Sequence, residues 1–155
     1  AQAMVVETAI MGHYRKQEFS KKNFLQIKKI RSFASKIVKE FNVKADSILQ
    51  KTGSLSGGNA QKVIIAREFE SCPDVLIACQ PTRGVDVGSV EFIHRQLLNF
   101  RNSGKAVLLI SSELSEIMSL SDRVIVMYKG KIVGEVDPRQ ATAEEVGLLM
   151  AGITS

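Results

Sequence analysis

Tryptophan is missing from this 155-residue sequence, and cysteine and histidine occur only twice each. Cys72 and Cys79 cannot build a disulfide framework or a four-cysteine zinc site, and adding His13 and His94 does not make a metal centre expected. So few cysteines suit a reducing cytoplasm. No apolar run approaches the roughly 18 residues of a membrane span, and the N-terminus has no signal-peptide pattern. One more absence is a single lysine. In "GSLSGGNAQK", residues 53–62, Gly53 and Gly58 have the separation of a phosphate-binding P-loop. Asn59 and Ala60 then stand where Lys and Ser or Thr would reach the phosphates and Mg²⁺. Lys62 comes too late, on what should already be helix.

What is present describes a globular chain, with 45% hydrophobic and 24% charged residues. The net charge of +5 is uneven, because ten Lys or Arg fall between Arg15 and Lys44 against two acids, Glu18 and Glu40. Such a stretch reads as a solvated helix face, a nucleic-acid surface or a segment close to an anionic leaflet. It lacks aromatics set among surface positions for base stacking. Phe24, Phe33 and Phe41 fit the apolar side of a helix over about 22–41, with Ile27, Ile30, Ile37 and Val38. Residues 42–53 read as a polar connection.

From there the pattern alternates. Ser56 can cap a helix through "GGNAQKVIIAREFE", and "DVLIAC" (74–79) reads as a short buried strand. "QPTRGVDVGS" is a loop, followed by a helix over "VEFIHRQLLNFRN" and a second buried strand, "KAVLLISS". "ELSEIMSLS" is a short helix, Lys129-Gly130 suggests a hairpin, and "TAEEVGLLMAG" closes as a helix. Strand and helix alternation predicts an α/β fold with a parallel sheet covered by helices.

The order of "LSGGNAQKV", "PDVLIACQPTRGVDVGS" and "LLISSELSEIMSLSDRVIVMYKGKIV" closely resembles the ATP-binding subunit of ABC transporters. It is most similar to the second half of the duplicated ATPase subunits that serve sugar or nucleoside importers. The resemblance runs from about Met4 to Gly152. It implies a partial P-loop NTPase (RecA-like) core with a parallel sheet, over about 54–155, and an ABC-type α-helical subdomain over about 4–53. In that family Leu55-Ser56-Gly57-Gly58 is the signature loop, which offers a helix N-terminus to the γ-phosphate of an ATP held by a facing ATPase domain. The physics agrees, because free N–H groups and the positive helix end attract phosphate, and two glycines allow close approach. Ser56, Gly57, Gly58 and Asn59 are thus the expected ATP-binding residues, acting in trans. On its own the tetrapeptide also fits an ordinary Ser-capped helix. Asp86 matches the aspartate of the loop that crosses the ATPase dimer interface, and it also suits an N-cap of the next helix. Arg83 fits a surface charge or an interface contact equally.

The departures from the family pattern are equally informative. The family's Asp-Glu at the end of the apolar strand is here Cys79-Gln80, and its switch histidine is Ser112. A thiol is a poor ligand for hard Mg²⁺, and a neutral amide cannot accept a proton from water. No catalytic residue is therefore expected to be intact. The missing P-loop implies the C-terminal part of an ATPase domain, with ATP and Mg²⁺ belonging to the longer protein and no nucleotide expected on this chain alone. The implied partners are a facing ATPase half or second copy, membrane permease subunits and, indirectly, a solute-binding lipoprotein, with no nucleic acid. The implied location is peripheral, on the cytoplasmic side of the cell membrane. The Gln-Pro-Thr-Arg-Gly form leans to nucleosides over sugars. An ABC ATPase acting on nucleic acid or ribosomes, and a catalytically silent binding module, are the rival readings. Gly58→Asp is expected to leave folding intact while repelling phosphate.

Overall fold

Ile30, Phe33, Ala34 and Ile37 recur at three- and four-residue spacing, so a helix puts all four on one stripe. In the computed structural model, which describes residues 2–153, that helix is α2 (Ile27–Glu40), with Ile30, Ala34 and Ile37 buried. It packs with α1 (Val5–Ile10) and α3 (Gly57–Glu70), and α3 packs in turn with α4 (Val87–Asn102), in the first of two units, Ala1–Leu76 with Thr82–Ala106. Phe41 joins Phe69 and Phe92 at centroid distances of 6.1 and 6.0 Å, and Phe69 meets Phe100 at 5.2 Å. These rings fill the space between helices with large apolar area and favourable edge contacts. The first residues are tied to the connection by Val5 N–H to the Gln50 carbonyl, and by a buried Thr8–Thr52 hydroxyl pair at 2.8 Å.

The start of the expected 22–41 helix is a hairpin. Strands β1 (Ser20–Lys21) and β2 (Phe24–Leu25) pair antiparallel, Ser20 with Leu25 and Lys21 with Phe24. Lys22 and Asn23 both adopt left-handed backbone, φ 49° and 64°, which is the geometry of a two-residue hairpin turn and is incompatible with a right-handed helix. Phe19 enters the core against Phe33 instead, at 4.9 Å, and Phe24 points away from it. Gln26 then closes the hairpin, its N–H donating to the Phe19 carbonyl.

The second unit is Ile77–Pro81 with Val107–Ser155. Strands β3 (Val75–Cys79) and β4 (Ala106–Ile110) are neighbours. Ala106 N–H donates to the Asp74 carbonyl and Gln80 N–H to the Ile110 carbonyl, so the two run parallel. The expectation that both strands are buried needs correction. They alternate, and the face carrying Ile77, Cys79, Leu108 and Ile110 is exposed, Ile77 by 65%. Cys72 is exposed as well. After α5 (Leu114–Leu120), strands β5 (Val124–Tyr128) and β6 (Lys131–Val136) form the expected hairpin, with Lys129 and Gly130 at positive φ. Helix α6 (Ala143–Met150) covers it, Val146 packing with Val124 and Val126 in a small core of its own.

Candidate functional site

Helix α3 begins where Ser56 leaves the helical conformation, φ −61° and ψ 155°, and its hydroxyl oxygen accepts from Asn59 twice. The Asn59 side-chain amide donates at 2.8 Å, and the backbone N–H reaches the same oxygen at 3.4 Å. Neither contact uses the Ser56 hydroxyl proton. The side-chain oxygen of Asn59 accepts from Lys44 N–H at 2.7 Å, which ties the preceding connection to this turn. Gly57 and Gly58 are first-turn residues whose N–H groups have no carbonyl four residues back. Lys62, one turn later, is buried with its ammonium over the Phe92 ring, 4.9 Å from the centroid. It supports the helix from behind and is no phosphate lysine.

The loop before α4 and the first turn of α4 press against this turn, and their contacts explain both glycines. A Cβ on Gly57 would lie 2.7 Å from the carbonyl oxygen of Gly84, itself held at φ +73°. A Cβ on Gly58 would lie 2.5 Å from both Asp86 Oδ2 and Ser89 Oγ, and 2.9 Å from Ser89 Cβ. Both distances are far inside carbon–oxygen contact, so the space is already full. This argues against the expectation that Gly58→Asp leaves folding intact. The obstacle is a non-local contact, and a second carboxylate would also face Asp86.

Asp86 is the N-cap of α4. Its carboxylate accepts from Ser89 N–H at 3.0 Å and from the Ser89 hydroxyl at 2.8 Å. The Ser89 hydroxyl bond, with the backbone bond behind it and Lys62 nearby, holds the Asp86 carboxyl below its ordinary value of 3.8. The capping reading of Asp86 is thus realised. In the same position the carboxylate lies against Gly58, so the starts of α3 and α4 share one packed junction.

The degenerate positions lie at the C-terminal ends of β3 and β4. Gln80 takes φ 50°, and its side-chain amide donates to Ser112 Oγ at 3.2 Å. Ser112 in turn lies 3.4 Å from Gln80 Oε1. Cys79 is exposed beside them. A thiol, an amide and a hydroxyl offer no carboxylate oxygen, so this set does not fit Mg²⁺.

No protein-family model matches the chain. A nucleoside import ATP-binding protein of Lactococcus lactis subsp. cremoris is 48% identical over 148 residues, which is 96% of this chain and 29% of that protein. A guanosine import ATP-binding protein of Bacillus subtilis is 45% identical over 148 residues, with the same coverage of 96% and 29%. Among solved structures, a dimeric bacterial ABC transporter cassette superposes with a TM-score of 0.70 at 21% identity, over 90% of this chain and 58% of the cassette. The chain is homologous to the ATP-binding proteins of ABC importers. It spans less than a third of the length of those two relatives. Its α/β fold is that of the ABC cassette.

Three residues around the start of α3 escape a reading by motif. Gly84 and Ser89 matter through contacts 27 and 31 positions away, as the Gly57–Gly84 and Gly58–Ser89 approaches show. Lys62 matters through an aromatic ring on another helix. Only Ser89 leaves a local trace, since Asp-x-x-Ser is a helix-start pattern.

Proposed function

We propose that this chain is the signature-bearing part of an importer's ATP-binding subunit, and that Ser56, Gly57, Gly58 and Asn59 meet the terminal phosphate of an ATP held by a facing ATPase half. The observation that carries this is the turn itself. Ser56 and Gly57 are exposed, while the other side of the turn is filled by Gly84, Asp86 and Ser89. An anion can therefore approach from one side only, onto N–H groups and a hydroxyl at the positive end of a 14-residue helix. Bound ATP would supply the scissile phosphoanhydride, and this chain would supply orientation and charge stabilisation. Cys79, Gln80 and Ser112 form a hydrolytically silent counterpart, so Mg²⁺ and the general base would come from the other half.

In this reading residues 4–53 are a helical subdomain and 54–155 the later part of the ATPase core, of which 154 and 155 lie outside the described residues. Asp86 belongs to the loop facing the dimer interface. Partners would be the second ATPase half, permease subunits and, through them, a solute-binding lipoprotein, with the subunit peripheral on the cytoplasmic side of the membrane. The names of two relatives, which concern nucleoside and guanosine import, favour nucleosides as the transported class.

Ser56→Asp tests the reading. Asp caps a helix as well as Ser, so thermal unfolding of the chain should not change. In the full subunit assembled with its permease, the new carboxylate would oppose phosphate by on the order of 4 kcal/mol before screening. ATPase should fall at least a hundredfold. Unchanged turnover would mean that the turn is a helix start and nothing more.

A further inference from the structure

The β1–β2 hairpin carries an apolar, basic tip that the cassette reading leaves without a role. Phe24 is 79% exposed, and Leu25 and Ile27 beside it are also exposed. Lys21 and Lys22 precede them, and Lys28 and Lys29 follow. None of these four lysines forms an ion pair with another described residue. From Thr8 to Lys39 the chain has nine Lys or Arg and one acid, Glu18.

Neither the charge nor the apolar tip serves the fold. Lys28 and Lys29 sit in the first turn of α2, which has no acidic residue and no side-chain cap. That is the end of a helix where cations are unfavourable. Phe24 occupies the turn-proximal strand position, where a polar residue would be equally compatible with pairing. The base of the hairpin, in contrast, is firmly held. Phe19 is buried, and the Gln26 side-chain amide donates to the Gln17 and Glu18 carbonyls at 3.2 and 3.4 Å. The tip is a projecting feature on a fixed base.

We infer that this hairpin seats on an anionic membrane surface, Phe24, Leu25 and Ile27 entering the headgroup boundary and the lysines pairing with lipid phosphate and carboxylate. Exposed aliphatic and aromatic residues inside a lysine cluster are the chemistry of interfacial anchoring. Nucleic acid is the poorer match, because two of the three apolar residues are aliphatic and offer no base a stacking face. The inference goes beyond the transport reading and does not depend on the signature turn.

The test is sedimentation of this chain with phosphatidylcholine vesicles, with and without about 30 mol% phosphatidylserine. Binding should require phosphatidylserine and weaken with salt. Each surface lysine contributes about fivefold, so Lys21→Gln with Lys22→Gln should lose at least tenfold. Phe24→Ser should lose several-fold. Lys39→Gln with Lys44→Gln, equal in charge but at the far end of α2, should lose far less. Circular dichroism should be the same for all four proteins. Absence of binding, equal binding to neutral vesicles, or equal losses for the two lysine pairs would overturn the inference. So would an unaffected Phe24→Ser, or hairpin-dependent binding to single-stranded RNA in place of vesicles. No ATP or permease enters the assay, so its failure is distinct from failure of the signature-turn reading.

Discussion

Gly58 is where the two readings of the signature turn meet. In the proposed function its backbone would serve an approaching phosphate, while its missing side chain serves the junction with Asp86 and Ser89. Any Cβ must displace Asp86 Oδ2 and Ser89 Oγ, both 2.5 Å away. Overpacking of this kind costs about 1–3 kcal/mol, so Gly58→Ala should lower the unfolding free energy by that much, read as a lower urea midpoint at unchanged slope. Ser89→Gly removes the Oγ and Cβ obstacles and leaves only the end of the Asp86 side chain, which can swing away. Gly58→Ala should therefore cost less in a Ser89→Gly background than alone, with a coupling of about 0.5–2 kcal/mol. Strictly additive costs would show that the junction is looser than its distances. Ser56 is the cleaner probe of phosphate contact, because it is exposed and its replacement meets no wall.

Caps decide the ends of the elements, and they are the most legible part of the sequence. Ser56, Asp86 and Thr142 each stand at the N-cap of a helix and accept from the residue three positions on. Local chemistry of that range can be read from residue order alone. At α6 the box is complete, since Thr142 accepts from Glu145 N–H at 3.2 Å while the Glu145 carboxylate accepts from Thr142 N–H at 2.7 Å. Thr142→Ala should cost about 1 kcal/mol, read as a shift in the denaturation midpoint. The backbone N–H of Thr142 also holds the Glu145 carboxyl below its ordinary value of 4.5. A depressed acid stabilises the fold above its unfolded value and loses that contribution as pH falls through the folded one. The stability advantage of wild type over Glu145→Gln should thus be constant near neutrality and shrink progressively as the pH falls below 4.5. The β1–β2 hairpin shows the opposite case. Phe24 continues the apolar spacing of Ile27 and Ile30, so periodicity extends the helix over it. The turn at Lys22-Asn23 contains no glycine to mark it, and tertiary demand for Phe19 in the core decides the matter.

At the scale of the whole chain, the order of strands and helices was readable from α3 onward, because alternation of short β-rich runs with amphipathic stretches constrains topology strongly. Which face of each strand meets solvent was not. Runs such as "VLIAC" and "AVLLI" are apolar on both sides, and that pattern normally means burial on both faces. Here Ile77 and Cys79 of β3 and Leu108 and Ile110 of β4 are exposed together. Likewise no residue order reveals that Gly58 lies against Ser89. A contiguous apolar face of this kind on a free chain favours association. The 155-residue chain should bind a hydrophobic dye and self-associate as its concentration rises. Ile77→Lys with Leu108→Glu should remove both properties. The pair places opposite charges on neighbouring strands and restores the polar-outside alternation that a one-sided sheet tolerates. Because both side chains point to solvent, the melting temperature should move little. Sedimentation velocity of the double variant as a monomer, with unchanged circular dichroism, is the expected result. Persistent association would locate the sticky surface elsewhere, and unfolding would show that these residues carry core energy despite their exposure.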